Sequence, residues 1–307
     1  MPSVKKPVVV TIGVFDGVHK GHLAVLSEAR AIADRRNARL IVASFDPHPA
    51  SVLRKTDFLG LLTLPTYRAQ LLKAAGVDAV EFLEFNDYLR QLTPDEFVDD
   101  ILLNQLGADV VVVGSNFRFG NKASGDVAVL QSLATKYGFD VEVISLKGDS
   151  SAWSSTRIRQ EIMSGNVEAA REILGRPHRL SGEVIYGDQR GRELGFPTAN
   201  LSPSHGLVVP ADGVYAGLLS TSDEVLPAAI SIGTNPTFAD VTTRRVEAYV
   251  LDRTDLKLYG QQIDLDFLAH IRPMQAFSGI DELIAAMNGD VVQARVQIDD
   301  FLESTGH

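Results

Sequence analysis

Apolar residues along this chain fall into two textures. From residue 8 to about 174, continuous apolar runs alternate with stretches of helical spacing. Val8-Val-Val-Thr-Ile12 reads as a buried strand, after which Leu23, Leu26, Ala29 and Ala33 share one sector of a helical wheel. Arg39-Leu-Ile-Val-Ala-Ser-Phe45 is a second β-rich run. The prolines of Asp46-Pro-His-Pro49 close it and put His48 in a turn at a strand's carboxyl end. A helix over about 64–75 stops at Gly76, and residues 77–85 read as a third strand. Thr93-Pro-Asp-Glu96 is a capping box with proline at the first helical position, opening a helix to about Leu106. The β-branched run over 108–114 marks a strand covered on both faces. A helix over 126–137 and a strand over 140–146 complete the series. Five strands with helical crossovers imply a doubly wound parallel sheet, giving a first domain over residues 1–174.

Past a break at Ser164-Gly-Asn166, a short helix ends near Leu174 and Gly175-Arg-Pro-His178 reads as a linker. The period then shifts to two. Short alternating runs at 182–186, 213–219, 228–232, 245–251 and 262–271 are separated by Gly, Pro, Asn and Asp. This is the pattern of an antiparallel β-barrel, expected as a self-contained domain over 179–307. The last stretch, 281–302, has helical spacing interrupted at Asn288-Gly289, which predicts two helices packed on the barrel.

Composition narrows the functional classes. Lys plus Arg number 29 against 39 Asp plus Glu, a net charge of −10 that repels polyanions at long range. Nucleic acid is therefore not an expected partner, although a local cluster of donors can still hold a small anion. The absence of cysteine removes disulfides, thiolate catalysis and Cys-based zinc sites together. No apolar run approaches the roughly 18 residues of a membrane span, so a soluble, cytoplasmic chain without membrane attachment is expected.

Ligands of a doubly wound sheet bind beyond the carboxyl ends of its strands. The first such end carries Ile12-Gly-Val-Phe-Asp-Gly-Val-His-Lys-Gly-His22, which sets His19 and His22 among glycines at a helix start. Orphan N–H groups and the helix dipole there favour phosphate. No Gly-Lys-Ser/Thr follows, so this is not a P-loop, and the glycines do not fit the dinucleotide fingerprint. Phe45-Asp-Pro-His-Pro49 and Gly114-Ser-Asn-Phe-Arg-Phe-Gly120 occupy two further strand ends. Ser154-Ser-Thr-Arg-Ile-Arg159 opens a helix with hydroxyls and guanidiniums suited to phosphate. Singly, Ser154 or Ser155 reads more readily as a plain N-cap, and a helix-start histidine as structural rather than catalytic. Four polar loops on one predicted edge favour a ligand site.

The barrel half has two candidates. Gly187-Asp-Gln-Arg-Gly-Arg-Glu-Leu-Gly-Phe-Pro-Thr-Ala-Asn200 either wraps a phosphate chain, with Thr198 and Asn200 offering neutral oxygens to Mg²⁺, or is a long hairpin whose Thr and Asn bond backbone. In Arg244-Arg-Val-Glu-Ala-Tyr-Val-Leu-Asp252, Glu247 shares a strand face with Tyr249 and Leu251, opposite Val246, Ala248 and Val250. A carboxylate there is either a general base or a solvated, salt-bridged charge.

With these motifs in order, and with Gly195-Phe-Pro-Thr-Ala-Asn200, Gly213-Val-Tyr-Ala-Gly217, Ser231-Ile-Gly-Thr-Asn-Pro-Thr-Phe238 and Val246-Glu-Ala-Tyr249 after them, the chain resembles the bacterial bifunctional riboflavin kinase/FMN adenylyltransferases, or FAD synthetases, almost end to end. The glycine-rich turn resembles the HxGH signature of nucleotidylyltransferases. The resemblance implies phosphorylation of riboflavin by the barrel and adenylylation of FMN to FAD by the first domain. It implies riboflavin, FMN and ATP as substrates, Mg²⁺ accompanying ATP, no prosthetic group, and a monomer or weak homo-oligomer. His19 and His22 would stabilise charge on the phosphates, in an ATP site completed by Gly13, Phe15, Asp16, Gly21, Ser154, Ser155, Thr156 and Arg159. Phe45, His48, Pro49 and Asn116 would meet the flavin. In the barrel, Glu247 would orient or deprotonate the ribityl hydroxyl, with Gly195, Thr198 and Asn200 at the phosphates and the last two at Mg²⁺. Many members carry Asp where this chain has Asn116, so no metal ligand is assigned in the first domain. Two other readings are weaker. One gives the HxGH domain a different nucleotidyl acceptor, and the other makes the chain a flavin-binding regulator, which His19, His22, Arg159 and Glu247 together argue against.

Overall fold

Five parallel strands form the centre of the first unit (Met1–Ser154): β1 (Val8–Ile12), β2 (Arg39–Asp46), β3 (Ala79–Glu84), β4 (Val110–Gly114) and β5 (Asp140–Ile144). Their order is β3-β2-β1-β4-β5, so the direction of winding reverses between β1 and β4. The computed structural model describes residues 6–53, 57–144, 153–187, 195–233 and 244–306. Helices α1 (Lys20–Arg35) and α3 (Pro65–Ala74) contribute Leu26, Ile32 and Leu72 to the core on one face, beside Val9, Leu40 and Val42. The other face buries Val10, Ile41, Val111 and Leu130, the last from α6 (Val127–Tyr137). Helix cover on both faces accounts for strands that are apolar throughout. Short helices α2 (Pro49–Leu53) and α4 (Asp87–Gln91) sit in the connections.

The capping box at Thr93 forms in both directions and starts α5 (Pro94–Glu96). The rest of that expected helix, Phe97–Gln105, winds as a wider π-helix and ends with Leu106 N–H donating to Ile101 O. The wider turn keeps Phe97, Val98, Ile101 and Leu102 buried, with Phe97 against Phe119.

The second unit (Ser155–His307) begins with α7 (Ser155–Met163) and α8 (Val167–Leu174). Six strands follow: β6 (His178–Ile185), β7 (Thr198–Pro203), β8 (Gly213–Ser220), β9 (Val225–Gly233), β10 (Arg245–Val250) and β11 (Gln262–Arg272). They close into a barrel in the order β10-β7-β6-β11-β8-β9, with every pair antiparallel. His178, expected in a linker, is the buried first residue of β6, its Nε2 2.8 Å from Val208 O. Residues 145–146 of the expected fifth strand, 188–194 of the glycine-rich stretch and 234–238 of the Ser231 motif lie outside the described residues. No described helix is long and apolar enough to cross a membrane.

One expectation is overturned. The C-terminal segment is a single helix, α9 (Ile280–Thr305), and not two helices broken at Asn288-Gly289. Mid-helix glycine costs only about 1 kcal/mol, and tertiary anchoring outweighs it. Arg272 at the end of β11 donates through Nε and Nη2 to both Asp290 oxygens at 2.7 Å, one residue past the glycine. Asn288 also donates to Ile284 O within the helix. Asp290→Ala is expected to lower the urea stability of the chain by about 2 kcal/mol, since breaking a mostly buried pair leaves one charge uncompensated. An unchanged urea midpoint would show that the pair does not anchor the helix.

Helix α8 is integral to this unit. Glu168 Oε1 accepts from the His270 main-chain N–H at 2.9 Å, and the Arg171 guanidinium lies over the Phe301 ring. Val167, Ala170, Ile173 and Leu174 are buried. A fragment over 155–307 is therefore expected to unfold at higher urea than one over 179–307. Equal midpoints would reduce α7 and α8 to appendages.

Candidate active sites

The turn after β1 is a built structure. Gly13 N–H continues the sheet by donating to Ala43 O at 3.1 Å, after which the chain turns through Phe15, Gly17 and Val18, all at positive φ. Phe15 and Val18 are buried and their backbone is strained, so the turn must be held from outside. Asp16 is also buried, and its carboxylate accepts from Leu62 N–H, Thr63 N–H and the Thr63 hydroxyl at 3.0 Å. Thr63 Oγ1 in turn accepts from Gly17 N–H at 3.1 Å. Asp16, expected among the phosphate-binding residues, is thus placed as the anchor of the turn.

His19 is the N-cap of α1, its Nδ1 accepting from His22 N–H at 3.4 Å. A ring nitrogen that accepts carries no proton, so in the neutral ring the proton sits on Nε2. The two imidazoles stack with centroids 3.7 Å apart, and Phe15 meets the His22 ring edge-on at 5.2 Å. A Cβ at Gly21 would lie 3.1 Å from His19 Cε1, so the glycine makes room for the ring. Two other strand ends flank this turn. Phe45, at the end of β2, packs on Phe85, while Pro49 opens α2 and His48 Nδ1 accepts from Ala50 N–H at 3.0 Å with its ring against Phe58. Asn116 is exposed just past β4, where a Cβ on Gly114 would sit 3.2 Å from its Oδ1. Ser154 is half-buried at the end of the first unit. Ser155 starts α7 with Thr156 exposed and Arg159 buried, and these three belong to the second unit.

On the barrel the predicted strand face is observed for Glu247 and Tyr249, whereas Leu251 lies past the end of β10 and is buried. Val246, Ala248 and Val250 are buried, whereas Glu247 and Tyr249 are half-exposed. The register sets Glu247 opposite Asn200 on β7 and Ser231 on β9. Directly paired residues share a face, so an amide, a carboxylate and a hydroxyl stand in one row. Thr198 pairs with Tyr249 in the next row, and Phe196 packs edge-on against Tyr249 at 5.2 Å. Asn200 is held close by the backbone, since a Cβ on Gly187 would fall 2.4 Å from its side chain. Gly195 is exposed at positive φ. Thr198, Asn200, Pro197, Arg253 and Tyr259 are among the residues lining a pocket. Tyr215 on β8 donates its phenol to Ala211 O at 2.7 Å, and burial pushes its pKa up to about 12, so it remains a neutral donor that braces the strand beside this row.

Among the described residues no group of three or more His, Cys, Asp and Glu is arranged to hold a metal. The oxygens of Thr198 and Asn200, two residues apart on one strand and in register with Tyr249 and Glu247 respectively, are neutral hard donors of the kind that suit Mg²⁺ already bound to phosphate. The residues present fit that ion.

A histidine-bearing helix start beside the reversal point of a parallel sheet, with Asn200, Glu247 and Ser231 in one row on a barrel, is an arrangement suited to a two-module transferase. The comparisons agree. A family model described as FAD synthetase matches residues 1–157, and one described as riboflavin kinase matches residues 174–298. Bifunctional riboflavin kinase/FMN adenylyltransferases are similar along the chain. That of Escherichia coli K12 is 36% identical over 94% of this chain and 91% of its own, and that of Bacillus subtilis 32% identical over 93% and 91%. A crystal structure described as a macrolide-efflux protein from Streptococcus pneumoniae has a TM-score of 0.84 at 30% identity, covering 95% of each chain. The chain belongs to the bifunctional riboflavin kinase/FMN adenylyltransferase family.

Proposed function

We propose that the chain makes FAD in two steps, an ATP-dependent phosphorylation of riboflavin and an adenylylation of the resulting FMN. The observation that carries this reading is one chain bearing both matched modules. The kinase is assigned to 179–307 and the adenylyltransferase to 1–174.

In the kinase step the ribityl 5′-hydroxyl oxygen attacks the γ-phosphorus of ATP and ADP leaves. Glu247 orients that hydroxyl and takes its proton as the bond forms. Asn200 and Ser231 on either side set where the hydroxyl sits, which turns an encounter into a positioned attack. Thr198 and Asn200 would hold Mg²⁺, which when bound with ATP neutralises charge on the phosphates. In the second step an oxygen of the FMN phosphate attacks the α-phosphorus of ATP, and pyrophosphate leaves. His19, and His22 stacked on it, donate to phosphate oxygens as charge moves onto the leaving group. Phe45, His48, Pro49 and Asn116 are assigned to the flavin, and Ser154, Ser155, Thr156 and Arg159 to phosphate.

Incubation of the chain with riboflavin, ATP and Mg²⁺, followed by chromatography of the flavins, tests the reading. FMN followed by FAD is expected. FMN alone would move the first domain to another acceptor, and unchanged riboflavin would defeat the proposal.

A further inference from the structure

Arg68 is one of the most completely buried side chains of the molecule, 1% exposed, and it lies outside every motif quoted from the sequence. Burying a guanidinium is costly unless its donors are used. Here the two Nη groups are used on three pieces of chain far apart in sequence. Nη1 donates to Val14 O at 3.2 Å, inside the histidine-bearing turn. It also donates to Ser44 Oγ at 3.1 Å and Phe45 O at 3.2 Å, the end of β2 from which the His48 loop departs. Nη2 donates to Thr63 O at 3.4 Å and lies 3.9 Å from Asp16 Oδ1. Ser44 Oγ donates to Val14 O at 2.8 Å, and Asp16 and Thr63 tie the turn down at residues 16 and 17. A single planar cation therefore fixes the spacing between two strand-end loops, one carrying His19 and His22 and the other carrying Phe45 and His48. The strained residues Phe15 and Val18 lie next to the points it holds.

We propose that Arg68 is a positioning residue for adenylyl transfer, setting the phosphate-binding turn against the Phe45–His48 side of the site without touching substrate. The proposal rests on the assignment of adenylyl transfer to the first unit. Rigid fork geometry explains why arginine serves, since the single nitrogen of lysine cannot hold Val14, Ser44 and Phe45 as Nη1 does and also reach Thr63 and Asp16 as Nη2 does. Misplacing reacting groups by about 1 Å costs on the order of 100-fold in rate, so the effect should fall on the chemical step.

The test uses the full chain with Arg68→Met, which keeps most of the buried volume, Arg68→Lys, and the milder Ser44→Ala. Single-turnover conversion of FMN to FAD with enzyme in excess is read alongside riboflavin phosphorylation by the same preparation. A smaller folded fraction lowers the amount of active enzyme but not the single-turnover rate constant, so the two causes separate. Arg68→Met is expected to lower that constant by roughly 50- to 100-fold, Arg68→Lys to recover at least about a third of the lost logarithm, and Ser44→Ala to lower it about fivefold, with phosphorylation within about twofold throughout. A rate constant in folded Arg68→Met within about threefold of the parent overturns the proposal, as does parallel loss of both activities. If Arg68→Met does not fold, the same decision rests on Arg68→Lys and Ser44→Ala, whose parent-like constants would overturn it. A parent chain that makes no FAD would defeat the functional assignment instead.

Discussion

In a His22→Ala variant, FAD formation from supplied FMN and ATP is expected to fall by about 100- to 1,000-fold, the usual cost of one preorganised donor. His22 stacks on His19 at 3.7 Å, and its main-chain N–H donates to His19 Nδ1. Alanine keeps that N–H and removes only the ring, so His19 keeps its cap while the site loses one donor and the stacking partner of the other. His22→Asn restores a hydrogen-bond donor of similar reach and should recover part of the rate. The chain carries its own control, because riboflavin phosphorylation belongs to the other matched module. The decisive measurement is the ratio of the two activities in one preparation. Equal loss of both in a folded protein would defeat the assignment of separate sites.

The Glu247→Gln variant is expected to do the opposite. Riboflavin phosphorylation should drop by about 100- to 10,000-fold, the range for removal of a general base, while adenylylation of supplied FMN continues. Glutamine preserves size and hydrogen bonding, so the row of Asn200, residue 247 and Ser231 and the buried face of Val246, Ala248 and Val250 should persist. What is lost is the capacity to take a proton and the negative charge beside the attacking hydroxyl. A variant that phosphorylates riboflavin at the parent rate would remove Glu247 from the chemistry and leave it a solvated strand residue.

Both fold classes were legible because their evidence is local. Period-two alternation over residues 246–250 places Glu247 on its face, and Thr93 with Glu96 announces a helix start that the structure forms as a reciprocal cap. Other features depend on partners distant in sequence. Thr198-Ala-Asn-Leu-Ser-Pro203 has no clear alternation and lies between prolines, yet it is strand β7 because β6 and β10 supply ladders on both sides. The continuity of α9 depends on Arg272, 18 residues from Asp290. The anchoring of Asp16 depends on Leu62 and Thr63, some 46 residues away, and neither shows any pattern that points to a nucleotide site. The residues to which chemistry is assigned were visible as motifs, whereas the residues that hold them in place became visible only through contacts.

The position of β10 between two hydrogen-bonded neighbours has a consequence for how the kinase site is made. A slip of one residue in its pairing would turn Glu247 toward the barrel interior and bring Val246 and Ala248 out to solvent. Burying that carboxylate and exposing two apolar side chains would cost several kcal/mol, so the slipped barrel is not a state the chain populates. Barrel closure thereby acts as a proofreading step. The alternation that stabilises the sheet also rejects one-residue slips, so the closed barrel keeps Glu247 off its buried face.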